Sequence, residues 1–397
     1  MNKIDEYIIE HWQDTIKKSG GKGLSLPYPV TVPCISENFT VFFYWDTYFT
    51  NLGLLQDNLQ QARYNVENMR FFVEKMGFIP NGNLPVMFNR SQPPLYPHAV
   101  WDLYEKTGDT SLIERHYPAI LTEYAFWMQN RMTPIGLNAY GASPSQEEVL
   151  DFYNELKSRK QFPDLQKDPS VILHYFAEAE SGWDFSPRFE GKAMDYAQVE
   201  LNGILYRTEF ILSQCAKLLN KAEEEKRFLS AMQNRKKLMQ RYFMDEEGVY
   251  HDYNFVEKRR SKLVTGASIT PYVFGISEDK KGCLEAFKRL ELPYGVAVGD
   301  KQTDSGFQWA YPNTWAPITY WVYQALTKVG ADAEAQRVVR KYRALVERVF
   351  DQTGVLWEKY NALEGSIANS EYTAPPMMGW TAGVYRYFSE QEKGEKI

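Results

Sequence analysis

Glu180-Ser181-Gly182-Trp183-Asp184-Phe185-Ser186 sets a carboxylate between two aromatic side chains, directly after a small Ser-Gly pair. Aromatic neighbours desolvate a carboxyl, and desolvation raises its pKa, as a general acid working near neutral pH requires. Trp and Phe faces also pack well on the CH faces of a pyranose. The competing structural reading makes Asp184 a helix cap and Trp183 and Phe185 core residues. Further acid-bearing or aromatic phrases occur along the chain. They are Phe43-Tyr44-Trp45-Asp46-Thr47-Tyr48-Phe49, Gly77-Phe78-Ile79-Pro80-Asn81-Gly82-Asn83 and Asn89-Arg90-Ser91-Gln92-Pro93-Pro94. Gln308-Trp309-Ala310-Tyr311-Pro312-Asn313-Thr314-Trp315-Ala316-Pro317 follows, and then Glu358-Lys359-Tyr360-Asn361 with Glu371-Tyr372 and Gly379-Trp380-Thr381. A protonated carboxyl, an ionised carboxylate, a guanidinium and several amides are the groups that hydrolyse and recognise a polyhydroxylated substrate.

Each residue also has a structural reading. Asp46 caps the helix after it, Arg90 pairs with Glu74, and Asn81-Gly82 is a turn. Trp309, Trp315 and Trp380 are core residues, and Glu358 is an exposed acid at an element end.

Taken together and in order, the phrases resemble the trehalase family of glycoside hydrolases over residues 33–388. The resemblance implies an all-α fold, an (α/α)6 barrel or six-hairpin toroid, with a sugar pocket at one end. It implies hydrolysis with inversion of a small α-glucoside, trehalose or a related disaccharide or glucosyl-polyol. Asp184 corresponds to the family's general acid and Glu358 to its general base. Trp45, Asp46, Asn81, Arg90, Ser91 and Gln92 match sugar-contacting positions, and Gly182 and Glu371 match further binding positions. Tyr44, Trp183, Gln308, Trp309, Trp315 and Trp380, in the same phrases, complete the candidate binding set.

The departures fall on the recognition side. Asn38, in Ser36-Glu37-Asn38, stands where the family has a sugar-contacting arginine. Ser143-Pro144-Ser145 is the nearest match to the family's Arg-Pro-Glu segment, and Ala310 replaces an acid. Asn83-Leu84 closes a phrase that ends in arginine in the family, and Gly365 to Ser370 is shorter than the family's glycine-rich lid. Lost charged contacts change what a hydroxyl-binding site accepts. A hydrolase of a glucosylglycerate-like α-glycoside and a non-hydrolytic sugar-binding protein on the same toroid therefore stay as alternatives. A sugar epimerase ranks last, because such enzymes use histidine pairs.

The elements that must position these phrases are helices. Ile4, Ile8, Trp12 and Ile16 form one stripe over residues 3–18. Leu59, Ala62, Val66, Met69 and Val73 predict a helix over 58–76 that stops at Gly77. Asp109 or Ser111 caps a helix over 109–132, and further helices are expected over 195–220, 221–243, 278–290, 313–329 and 332–350. Val249-Tyr250 and Val355-Leu356-Trp357 are the best strand candidates. The phrases fall between helices, on loops over 77–97, 180–191, 305–317 and 358–376. No linker-like stretch divides the chain, so 1–397 is expected to form a single domain: an N-terminal helix and connector over 1–32, then the 33–388 region.

Composition agrees with an aromatic-lined cleft: 397 residues carry 27 Tyr, 23 Phe and 10 Trp. A net charge of −6 gives no nucleic-acid footprint. Cys34, Cys215 and Cys283 make no disulfide framework, and the five histidines lack ligand spacing, so neither metal nor cofactor is expected. No segment is long and apolar enough to span a membrane. The start of the chain lacks an apolar signal core, which predicts a cytoplasmic protein. The expected partner is a small carbohydrate; oligomeric state is not legible.

Overall fold

The computed structural model describes residues 2–18, 23–35, 39–303, 305–369 and 375–394. Its helices are α1 (Lys3–Thr15), α2 (Tyr44–Asp57), α3 (Leu59–Met76), α4 (Tyr96–Thr107), α5 (Thr110–Asn130), α6 (Gln146–Lys157) and α7 (Pro169–Ser181). They continue with α8 (Val199–Leu218), α9 (Ala222–Tyr242), α10 (Thr270–Val273), α11 (Lys280–Leu290), α12 (Ala316–Lys328), α13 (Asp332–Thr353) and α14 (Gly379–Gly394).

Six of them close a ring: α2 packs on α4, α4 on α8, α8 on α10, α10 on α12, α12 on α14, and α14 on α2. A second layer lies outside it. There α3, α5, α9 and α13 pack on their inner partners α2, α4, α8 and α12, α11 packs on α12, and α1 packs on α14. The result is the (α/α)6 toroid. The pair α6 and α7 is additional to the ring, and α7 ends in the acid-bearing loop.

The two layers explain which helices the pattern reveals. Outer helices have one wet face and a clear stripe, so α1, α3, α5, α9, α11 and α13 match expectation within a few residues. Inner α2 is buried at every position from Tyr44 to Leu54 and has no polar face to set a period. Periodicity does not predict it, nor α4, α6, α7, α10 and α14, whereas the inner helices α8 and α12 are expected, over 195–220 and 313–329. Local rules still hold at the ends. Gly77 caps α3 with φ +81°, and Asp109 caps α5 by accepting from Ser111 N.

The strand expectations are corrected. Tyr250 makes one isolated bridge to Met244, and Trp357 one to Pro376. Val249, Tyr250 and Leu356 are spent on the core rather than on a ladder. The ladder beside the site is instead a three-stranded antiparallel sheet of Asn313–Trp315, Lys359–Asn361 and Ser366–Ile367. The helix expected over 313–329 accordingly begins at Ala316, with Pro317 in its first turn. The stripe over 3–18 ends at Thr15, because Ile16-Lys17 pairs with Val30-Thr31.

Candidate active site

One cavity of about 1150 Å³ takes in most of the expected residues. Trp45, Asp46, Asn81, Arg90, Gln92, Gly182, Asp184, Gln308, Trp309, Trp315, Glu358 and Trp380 line it. Its floor is an aromatic assembly. Trp309 stacks on Trp315 with centroids 4.0 Å apart, Trp380 meets Trp315 edge-on at 5.5 Å, and Trp45 meets Trp309 and Trp380 at 5.7 and 5.8 Å. Such a surface suits the apolar face of a sugar ring.

The acid-bearing loop is held from behind. Gly182 ends α7 in the left-handed region with φ +75°. Asp184 follows, joined to Phe185 by a cis peptide bond. Trp183 is sandwiched between Trp309, at 5.2 Å, and the Arg188 guanidinium, at 4.5 Å. Arg188 is fully buried between Glu200 and Asp252, which supply the carboxylates a buried guanidinium needs. Gln308 donates its side-chain N–H to the Asp184 carbonyl, and Trp309 N–H donates to the Phe185 carbonyl at 3.2 Å. Glu358 precedes the strand Lys359–Asn361 and is 7% exposed, and Trp380 Nε1 donates to its carbonyl at 3.0 Å.

Three carboxyls meet electrostatically. Asp46, in the first turn of α2, is held well above the usual carboxylate range by burial first, then by the charges of Glu358 and Asp184. Arg90 faces the same group. Burial lowers its pKa, and the Asp184 charge opposes that shift most strongly. Arg90 donates to Val86 O and Asn89 Oδ1, while its Nε has no hydrogen-bond partner among the described residues. The structural readings of Asp46 and Arg90 fail here. Phe43, not Asp46, is the N-cap of α2, and Glu74 pairs with Arg70.

Some expected binders turn away from the cavity. Ser91 is fully buried, its N–H on Glu180 Oε1 and its hydroxyl on Ile79 O. Trp183 is buried in the stack described above. Each lies between two residues that line the cavity, Ser91 between Arg90 and Gln92 and Trp183 between Gly182 and Asp184. Tyr44 is buried, donating to Glu123 Oε1 at 2.7 Å and accepting from Tyr96 N. Asn81 and Gln92 line the wall but also serve the backbone. Asn81 Nδ2 donates to Ser91 O and Ala179 O, and Gln92 Oε1 accepts from Trp45 N. Glu371 and Asn38 lie outside the described residues.

One wall was not expected at all. Glu148, Asp151, Phe152 and Glu155 of α6, followed by Arg159 and Lys160, line the cavity mouth. Ser145 starts α6 with a capping box to Glu148. Arg159 pairs with Glu155 at 2.6 Å and lies over the Phe185 ring at 5.3 Å. The i, i+3 and i+4 spacing of these charges was the available signal, but it is equally that of a solvated helix face.

Among the described residues, no group of three or more His, Cys, Asp or Glu is arranged to hold a metal, and no helix is long and apolar enough to cross a membrane.

A family model described as Trehalase matches residues 6–391. A periplasmic trehalase of Pseudomonas aeruginosa is 30% identical over 390 residues, covering 91% of this chain and 70% of its own length. A periplasmic trehalase of Xanthomonas campestris pv. campestris is 29% identical, covering 91% and 67%. Among solved structures, neutral trehalase Nth1 from Saccharomyces cerevisiae superposes with a TM-score of 0.78 at 23% identity, covering 97% of this chain and 79% of its own. The GH63 mannosylglycerate hydrolase from Thermus thermophilus superposes with a TM-score of 0.72 at 17% identity, covering 98% and 100%. These two share the fold. The cytoplasmic expectation is corrected: the curated relatives are named periplasmic, and this points away from the cytoplasm. By the family match and the Pseudomonas aeruginosa relative, the chain belongs to the trehalase family of glycoside hydrolases.

Proposed function

We propose that this glycoside hydrolase cleaves a small, neutral α-glucoside with inversion, Asp184 acting as general acid and Glu358 as general base. The observation that carries this reading is the convergence of Asp184 and Glu358, remote in sequence, on one aromatic-walled cavity. Asp184 protonates the glycosidic oxygen as the bond to the anomeric carbon breaks. Water attacks that carbon from the opposite face and gives its proton to Glu358. Solvent exchange then returns both carboxyls to their starting states. This geometry calls for carboxyls about 6.5–9.5 Å apart, room enough for the water.

Arg90 and Asp46 suit the sugar's hydroxyls, one as a planar donor and the other as a buried carboxyl. The α6 wall bears on the leaving group. It sets three carboxylates, Glu148, Asp151 and Glu155, against Arg159 and Lys160. An acidic aglycone would meet that excess of negative charge, whereas a second sugar or a polyol finds donors and acceptors of both kinds. This favours trehalose or a related neutral glucoside over a glucosylglycerate. We further take the chain as one domain, because α1 packs on α14 and α14 on α2.

The test is a panel of α-linked disaccharides, glucosyl-polyols and glucosylglycerate, assayed with the wild type, Asp184→Asn and Glu358→Gln. Each variant should lose about 10³-fold or more in kcat with an unchanged melting curve. Near-normal turnover in either variant rejects that residue's role. Binding without product from any glucoside favours the non-hydrolytic alternative.

A further inference from the structure

Lys359 follows the residue read as the general base, yet it does not line the cavity. Its side chain is fully buried. In the sheet it stands opposite Trp315, and its ammonium lies 5.2 Å from that ring's centroid. A buried ammonium is stable only among groups that answer its charge. Lys359 Nζ lies 2.9 Å from Gln308 Oε1 and 3.8 Å from Glu358 Oε2.

The contact with Gln308 reaches further than its length suggests. An ammonium only donates, so it selects the oxygen end of the Gln308 amide. The nitrogen end then points the other way, and it donates to the carbonyl of Asp184. A single cation thus orients the amide that holds the acid-bearing loop and also stands beside the base.

We propose that Lys359 is a positioning residue that couples the two catalytic carboxyls, fixing the acid's backbone through Gln308 and favouring the ionised base. This inference rests on the reading of Glu358 as general base. Beside Glu358 stand the Lys359 ammonium of the following residue and Asp46 of α2, on which the Glu358 and Asp184 charges both act. Arg90 bears on Asp184. Lys359 forms an ion pair with the Glu358 carboxylate at 3.8 Å. Removing a cation beside a carboxylate favours its protonated form. The acid limb of the rate profile, below which the base is protonated, must therefore move to higher pH.

The experiment is the pH profile of kcat/KM, on the glucoside that the panel identifies, for the wild type, Lys359→Met and Lys359→Arg. Lys359→Met should raise the acid limb by about one pH unit and lower kcat at least about tenfold. Lys359→Arg, which keeps the charge, should leave the limb within a few tenths of a unit. A purely structural lysine would lower the melting temperature in both variants and move the limb in neither, and that result overturns the inference. If Lys359→Met melts below the assay temperature, Lys359→Gln is read in its place against the same limb. Glu358→Gln separates the two claims. If it is inactive while the limb of Lys359→Met stays in place, the coupling role alone fails. If it is active, the base assignment fails, and this inference fails with it.

Discussion

A Cβ placed on Gly182 would lie 2.7 Å from Cε2 of Trp45. The backbone that leads into Asp184 therefore rests directly on the cavity's indole. Gly182 also sits at φ +75°, which a side chain disfavours. Gly182→Ala should thus displace either the indole or the acid. A loss of at least about tenfold in kcat/KM and about 1–3 kcal/mol of stability is expected. Steady-state kinetics and urea denaturation check both, and a fully active variant would show that the contact yields without consequence.

Glu180 should behave as a keystone. Its two oxygens accept from Arg131 Nε and Nη2, from Ser91 N and from Gly141 N, all between 2.7 and 2.8 Å. It thereby ties the Arg90–Gln92 segment and residue 141 to the end of α7. Glu180→Gln turns two of those acceptor sites into donors and leaves Arg131 buried without its counter-charge. The expected cost is about 3–5 kcal/mol, measured by chemical denaturation.

Glu123 gives the fold a pH dependence. Burial pushes its carboxyl from 4.5 up to about 8, a rise only partly offset by the hydrogen bond from Tyr44. The folded chain then holds a proton that the unfolded chain releases. This contribution to stability is complete below about pH 4.5 and is lost as pH rises towards 8. Glu123→Gln should flatten that decline. Melting temperatures from pH 5 to 8.5 report it as a smaller fall in the variant than in the wild type.

Arg159 should govern the leaving group rather than bond cleavage. Arg159→Met should raise KM for a disaccharide about tenfold and change the rate on α-glucosyl fluoride, which carries no second sugar, much less. Equal losses on both substrates would tie Arg159 to the reacting centre instead.

How far the sequence reveals this molecule depends on which side of an element meets water. Outer helices such as α3 and α13 announce themselves by a stripe, because their far face is solvated. Inner α2 carries Trp45 and Asp46 but is buried all round over most of its length, so only its ordered phrase marks it. The phrases locate the site well but blur orientation by one residue. Arg90 and Gln92 face the cavity while Ser91 faces Glu180; Gly182 and Asp184 face it while Trp183 stacks behind. The course of each loop decides these cases, and Gly182 turns its loop in the left-handed region, where no strand periodicity applies.

The α6 wall was illegible for a different reason. Glu148, Asp151, Glu155 and Arg159 read as an ordinary charged helix face until the fold turns that face over the cavity mouth. The Arg131–Glu180 pair joins positions far apart in the chain, and no local pattern announces it. Location in the cell was misjudged from the first residues alone, and the periplasmic relatives supplied the correction.

Proton NMR of the first sugar released from trehalose tests the central claim most directly. Both anomeric carbons of that disaccharide are α, so water attacking with inversion frees one β-glucose and one α-glucose per turnover. Asp184 and Glu358 working across a water-sized gap predict that equal mixture before mutarotation, and its disappearance in Asp184→Asn and Glu358→Gln. Release of α-glucose alone, or an unchanged mixture from either variant, would contradict the account.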